Sequence, residues 1–318
     1  MGSPDKIEIL TERLIDEHLD LAMEVLAGSA RLAIPLGWHY VLDLVWVMRE
    51  LGVSAAPAAP PENRRVIEIG AGNGLLQFLL ADRGFEVTSV DVAHRLGLRR
   101  LERCYRFSRA QSETYIEHDY VRHSAGVLRY RAAEAAARAL YAARERLTTA
   151  SRRHSVPPPG PDRRPAVHLY RADAGRMPEV PPASMDVAVS ISALEHNPPE
   201  RIAEIHKEIE RVVRPGGLIL HTVSAIETGE RFHEPSHSFL LDRTQLIRTY
   251  ELKIDEQPET WPWAQAWQAF QQPRYLDRWL SHIYCAGGNN GMPWGIWRPE
   301  YLPVGLARRQ RSPGQPAC

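Results

Sequence analysis

Apolar residues recur at helical spacing in two stretches near the start of the chain. Ile7, Leu10, Leu14, Leu21 and Val25 give residues 7–28 one apolar face, and Val41, Leu44, Val45, Met48 and Leu51 do the same for 40–51. The turn-prone PLGWHY separates them, and an Ala/Pro-rich linker from Ser54 to Pro61 ends this N-terminal helical cap. Short apolar runs then alternate with amphipathic stretches. The runs at 65–69, 86–90, 166–170, 185–190 and 217–223 predict strands, and helices are expected over 74–83, 94–106 and 199–213. The last of these carries Ile202, Ile205, Ile209 and Val212 on one face, begins at Pro198-Pro199 and ends at Pro215-Gly216-Gly217. Asp242 followed by Gln245 reads as a capping box for a further helix, 243–251. Alternation of this kind implies a mostly parallel sheet covered by helices on both faces.

Two regions stand outside the alternation. A plain crossover between the second and third strands needs a dozen or so residues plus a helix, whereas 93–165 is far longer. It holds a predicted Ala/Arg helix at about 123–150 and closes with SVPPPGP. The C-terminal quarter holds six of the eight tryptophans (Trp261, Trp263, Trp267, Trp279, Trp294 and Trp297), and the last ten residues, RQRSPGQPAC, read as a disordered tail.

Charge changes the picture only locally. The 39 basic and 39 acidic residues balance, so no global field favours nucleic acid or a membrane surface. All but three of the basic residues are arginine, which with this much Ala and Pro is read as genomic base composition. Residues 93–165 concentrate 16 arginines against 7 acids. That insertion is expected to be a solvated or dimer-forming helix; its aromatics form no recognised RNA-binding module, so nucleic acid is not the expected partner. Three cysteines (Cys104, Cys285 and Cys318) with no CxxC pair argue against a disulfide framework or zinc ribbon and suit a reducing cytoplasm. No run of about 18 apolar residues predicts a spanning helix, and MGSPDKIEIL has no signal-like core.

The strongest chemical signal is VIEIGAGNG at 66–74, where an apolar strand runs into Gly70-Ala71-Gly72-Asn73-Gly74 and then a helical pattern. Glycines there allow a tight turn and let a ligand approach bare N–H groups at a helix N-terminus. A dinucleotide fingerprint needs G-x-G-x-x-G, and Leu75 stands where its third glycine would fall. A GxxxxGK[ST] phosphate loop is excluded because no lysine lies between Lys6 and Lys207. Asp91, at the end of the second strand, can take both hydroxyls of a ribose. Glu68 sits inside the first strand, where a carboxylate is costly without a partner; a ligand ammonium would supply one.

With these residues in view, the sequence resembles the class I S-adenosylmethionine-dependent methyltransferases over about residues 64–225, and more loosely over 226–286. VIEIGAGNG matches the family's first motif at every position. The resemblance implies a Rossmann-like, mostly parallel seven-stranded sheet with S-adenosylmethionine as cofactor. It implies that Glu68 and the loop Gly70, Ala71, Gly72, Asn73 and Gly74 hold the methionine part, and that Asp91 with Val92 holds the ribose. It places Asp173 and Ala174 at the adenine and Ser190 on strand four beside the cofactor. MDVAVSISALEHNP matches strand four with its turn, and RPGGLILHT matches the following element. The family's last strand pair is antiparallel, and KIDEQ near 253–257 and HIYCA near 282–286 are its candidates here.

Three histidines are candidate catalytic residues. Glu195-His196 resembles a turn that faces the pocket in small-molecule members, where His196 would accept a proton from a hydroxyl or amine. The letters NPP at 197–199 recur in amino-group methyltransferases, but the spacing from Asp186 and Glu200 in place of an aromatic argue against that reading. HEPSH at 233–237 spells H-E-x-x-H, yet Pro235 interrupts the helix that zinc binding by this motif needs. His233 and His237 are therefore read as substrate-loop residues, and no metal is expected. Trp38, His39 and Tyr40 either close the pocket or simply pack, and the Trp-rich stretch is either an acceptor wall or a lid.

The expected organisation is a helical cap over 1–60, a cofactor-binding domain over 61–286 and a C-terminal extension over 287–318. The domain would carry an Arg-rich helical insertion at 93–165 and a Trp-rich lid at 255–281. The expected activity is methyl transfer to oxygen or nitrogen of a small molecule by a cytoplasmic enzyme that can form a homodimer. The rival readings are a nucleic-acid or protein methyltransferase recruited through the insertion, and a protein that binds the cofactor without methylating.

Overall fold

The computed structural model describes residues 5–53, 64–115, 164–254, 261–276 and 297–311. Strand β1 (Lys6–Ile9) is followed by helices α1 (Arg13–Glu17), α2 (Leu19–Leu32) and α3 (Tyr40–Glu50). The alternating part runs through β2 (Arg65–Ile69), α4 (Leu76–Asp82), β3 (Glu86–Asp91), a 3₁₀ turn at Leu96–Leu101, β4 (Arg106–Gln111) and β5 (Ala166–Arg171). It continues with β6 (Met185–Ile191), a 3₁₀ turn at Leu194–His196, α5 (Pro199–Val212) and β7 (Val213–Ala225). A hairpin of β8 (Glu230–His233) and β9 (Ser238–Leu241) leads to α6 (Arg243–Thr249), α7 (Trp263–Gln271) and β10 (Leu302–Arg309).

Among the described residues one ten-stranded sheet forms, in the order β1-β10-β7-β6-β2-β3-β5-β4, with β9 on β7 and β8 on β9. The pairs β2–β3, β2–β6, β3–β5 and β6–β7 are parallel, and β10 lies antiparallel between β7 and β1. This is the Rossmann-like sheet flanked by helices. Strand order reverses between β2 and β6, which opens a crevice at their carboxyl ends, where open α/β sheets bind ligands. The central strands are buried on both faces, and α5 buries the stripe Ile202, Ile205, Ile209 and Val212. Asp242 and Gln245 form the expected capping box on α6. No described helix is long and apolar enough to cross a membrane.

Several elements differ from the pattern reading. Lys6–Ile9 is a strand rather than the first turn of a helix. Ile7 pairs with Leu306 and Ile9 with Val304, so the period-2 alternation of Lys6-Ile7-Glu8-Ile9 prevails over the longer helical spacing. Residues 94–106 hold a 3₁₀ turn, and then β4 joins the edge of the sheet parallel to β5. The expected helix end at Pro215-Gly216-Gly217 lies inside β7, which begins directly after α5. The antiparallel strand is Leu302–Arg309 rather than KIDEQ: Lys253 and Ile254 are not in a strand, while 255–257 and the HIYCA segment lie outside the described residues. The start of the predicted tail is ordered, with Arg309 ending β10 and Arg311 paired to Asp5 at 2.9 Å. The predicted helix at 123–150, the linker from 54 to 61, and Trp279 and Trp294 also lie outside the described residues.

Candidate active site

A cleft of about 970 Å³ opens at the carboxyl ends of β2, β3, β5 and β6. Of the predicted cofactor residues, Glu68, Gly70, Ala71, Gly72, Asn73, Gly74, Asp91, Val92, Asp173 and Ala174 all line it. Ser190 does not; it is buried in β6 with its hydroxyl unpartnered.

The glycine loop has local reasons for its sequence. Gly70 has φ +67°, and a Cβ there would come within 2.4 Å of the Ala193 Cβ, so only glycine lets the β2 and β6 ends approach this closely. Gly72 has φ +49° and donates its N–H to Asp91 Oδ2 at 2.7 Å. Ala93 donates to Asp91 Oδ1, also at 2.7 Å. Two backbone donors thus orient this carboxylate while each oxygen keeps lone-pair capacity for a ligand.

Glu68 is 2% exposed, and its Oε2 has no hydrogen-bond partner. Burial pushes its carboxyl up to about 8; the nearby Arg95 guanidinium opposes this, and Asp91 adds to it. Arg95 is itself buried, with Nη1 on Ser89 Oγ at 2.5 Å and Nη2 on Ser89 O at 2.8 Å, so it is anchored beneath the loop. At the other end of the cleft, both oxygens of Asp173 accept from Arg201 Nη2, and Oδ1 also accepts from Gly175 N at 2.8 Å. Arg201 lines the cleft from α5. Sequence reading missed it, because an arginine in a chain this rich in arginine carries no local signal.

The far wall comes from the N-terminal cap, with Ile34, Pro35, Leu36, Gly37, Tyr40 and Leu44 all facing the cleft. Beyond Tyr40, Ser192 and His196 lies a polar chamber of about 10 Å³. Its walls include His39, Glu195, Ser224 and Tyr301. His39 Nδ1 donates to Asp43 Oδ2 at 2.7 Å, a pair that is 1% and 0% exposed, and Ser192 Oγ donates to the same oxygen at 3.4 Å. Glu195 is 3% exposed; its Oε1 accepts from Ser224 Oγ at 3.4 Å while Oε2 has no partner. Burial holds its carboxyl above the ordinary range.

The predicted catalytic histidines divide. His196 is exposed and lines both spaces, with Nδ1 at 2.9 Å from the His237 carbonyl oxygen. A carbonyl only accepts, so Nδ1 carries the proton and Nε2 is left with a lone pair. His237 reaches this arrangement through its backbone. His233 is buried at the end of β8, where its Nε2 donates to Glu300 at 3.3 Å and its Nδ1 accepts from Ser236 Oγ at 2.7 Å; it faces neither space. HEPSH is the turn of the β8–β9 hairpin rather than a helix, and no group of three metal-ligating side chains occurs among the described residues.

Comparison with known proteins bears on the same region. A family model described as a methyltransferase domain matches residues 47–283. Similar solved structures include a geranyl diphosphate C-methyltransferase from Streptomyces coelicolor, at 11% identity over 84% of this chain and 75% of that one, with a TM-score of 0.41. A phosphoethanolamine N-methyltransferase 2 from Haemonchus contortus gives 15% identity over 94% and 59%, with a TM-score of 0.44. The cyclase SpnF gives 16% identity over 98% and 99%, with a TM-score of 0.43. No curated protein matches the sequence. Three-quarters of the chain fits the family model and the sheet has the expected order: the protein belongs to the methyltransferase-domain family, with the class I S-adenosylmethionine-dependent fold.

Proposed function

We propose that the protein transfers a methyl group from S-adenosylmethionine to an oxygen or nitrogen of a small molecule, specialised metabolites being one such class. The observation that carries this reading is the pair of acids flanking the glycine loop. Glu68 presents an unpartnered, buried carboxyl oxygen to the cleft, which fits the ammonium of a methionine moiety. Asp91 is held by two backbone N–H groups in a pose that fits two ribose hydroxyls. Asp173, held by Arg201, and Ala174 line the same cleft and are the residues we assign to the adenine.

When bound, the cofactor supplies an activated sulfonium methyl. The chain has then to align the acceptor, exclude water and receive a proton. Ile34, Leu36 and Leu44 give the acceptor side of the cleft an apolar wall. The Nε2 lone pair of His196 receives the proton from the acceptor O–H or N–H, while the His237 carbonyl keeps the ring in that tautomer. His233 acts at one remove, holding Ser236 and so the hairpin turn that bounds the chamber.

The test is to incubate the protein with S-adenosylmethionine and panels of small amines and alcohols, with RNA as a rival acceptor, and to quantify S-adenosylhomocysteine. Release should depend on a small acceptor and should fall by about a hundredfold or more in His196→Ala. Release that depends on RNA, or bound cofactor that no acceptor consumes, contradicts the proposal.

A further inference from the structure

The polar chamber behind the cleft holds a buried acid that faces two histidines, His39 and His196, and no lysine or arginine. One carboxyl group, Glu195, lines the chamber and has a buried oxygen with no partner, while Asp43 stands behind the wall, bonded to His39 and Ser192. The groups that face Glu195 are His39 and Asp43 from α3, its neighbour His196, Tyr250 from the end of α6 and Tyr301 ahead of β10. No lysine or arginine is among them. Hydroxyl groups complete the walls, including those of Ser192 and Ser224.

A volume of about 10 Å³ admits one water-sized group. An ammonium nitrogen has that size, donates up to three hydrogen bonds and brings a full positive charge to the unpartnered oxygen of Glu195. A hydroxyl fits the space but brings no charge, and an anion would face the Glu195 carboxyl. Tyr40, Ser192 and His196 line both chamber and cleft, so a ligand with its head in the chamber extends its body toward the apolar wall.

Resting on the methyl-transfer reading, we propose that this chamber is an acceptor-recognition subsite that receives a protonated primary amine, and that the acceptor therefore carries such an amine on an apolar body; because an ammonium has no lone pair, the group in the chamber is the acceptor's anchor, and it becomes a nucleophile only after giving one proton to Nε2 of His196. Burial raises the Glu195 carboxyl and a cation beside it acts the other way, so amine binding is expected to be accompanied by proton release.

The experiment is calorimetric titration of protein saturated with S-adenosylhomocysteine, using 2-phenylethylamine, 2-phenylethanol and phenylacetate as probes. Running it in two buffers of different ionisation enthalpy reads proton release. The amine should bind at least about tenfold more tightly than the alcohol, and phenylacetate should bind most weakly. Glu195→Gln should remove both the amine preference and the proton release while S-adenosylhomocysteine still binds. Equal binding of amine and alcohol, a preference that survives in Glu195→Gln, or no amine binding by protein that holds S-adenosylhomocysteine overturns the proposal. Protein that does not bind S-adenosylhomocysteine overturns the methyl-transfer reading beneath it.

Discussion

Glu68 shows how one side chain ties ligand binding to stability. Its native carboxyl titrates at about 8 against an ordinary value of 4.5, because burial disfavours the charged form. Between those two values the folded state holds a proton that the unfolded state has released. Its contribution is therefore fully present below pH 4.5 and is lost as pH rises toward 8. Glu68→Gln should remove this loss, making the ligand-free protein more stable than wild type at pH 8 by on the order of 2–4 kcal/mol, with little difference at pH 4.5. Denaturant midpoints of the two proteins at both pH values check this; a constant difference contradicts it. The same variant should lose affinity for S-adenosylhomocysteine, since it removes the charge for the ligand ammonium.

Residues of this kind were legible in the sequence because they are consecutive: the motif 66–74 and Asp91 frame one loop and one strand end. The chamber was only partly legible. His39 reads as pocket-closing or packing and Glu195 as part of a turn, but Ser224 and Tyr301 come from two other parts of the chain. Only the sheet brings them together, so no local pattern marks them as one group.

Elements with strong periodicity were predicted well, and exposed or interrupted ones were not. Strands β2, β3, β5 and β6 are buried and carry dense apolar runs. Strand β4 is an exposed edge, RFSRAQ, with almost no apolar signal, so the pattern assigns it to the long insertion rather than to the sheet. Strand β10 hides its pattern behind Pro303 and Gly305. The glycine has a specific cause: a Cβ at 305 would meet the Trp46 ring at 2.3 Å, so β10 gives up a side chain to let α3 lie flat on the sheet. Gly305→Ala should therefore destabilise the protein by about 1–3 kcal/mol through overpacking, despite the higher strand propensity of alanine. Chemical denaturation followed by tryptophan fluorescence reads the change, and a neutral or stabilising result contradicts this account of the α3–β10 contact.

At the scale of the whole molecule, the sheet extends past its ligand-binding half to β7, β10 and β1, and this side carries a different liability. His206 on α5 and His221 on β7 lie with ring centroids 5.3 Å apart, and neither ring nitrogen of His221 has a partner. Burial holds His221 down to about 3 from an ordinary 6.5, so it stays neutral in the fold. Between those values the unfolded chain binds the proton and the folded one does not, so stability falls as pH drops from 6.5 toward 3. His221→Leu should flatten that part of the acid limb, with its advantage over wild type growing from pH 7 to pH 4. Equal slopes for the two proteins would show that His221 is not a source of acid sensitivity. The sequence foretold the alternation and its cap but not this buried pair, because two histidines 15 positions apart on a helix and a strand read as ordinary polar interruptions.

The central claim is that the cleft between β2 and β6 binds S-adenosylmethionine, and calorimetry on the intact protein tests it most directly. S-adenosylmethionine, S-adenosylhomocysteine and NADH would each be titrated into wild type and Asp91→Ala. The account predicts that both sulfur nucleosides bind, that NADH does not, and that Asp91→Ala weakens the nucleosides by about tenfold to a hundredfold through loss of the ribose hydrogen bonds. Folded protein that ignores both nucleosides, or that binds them equally well without Asp91, would contradict it.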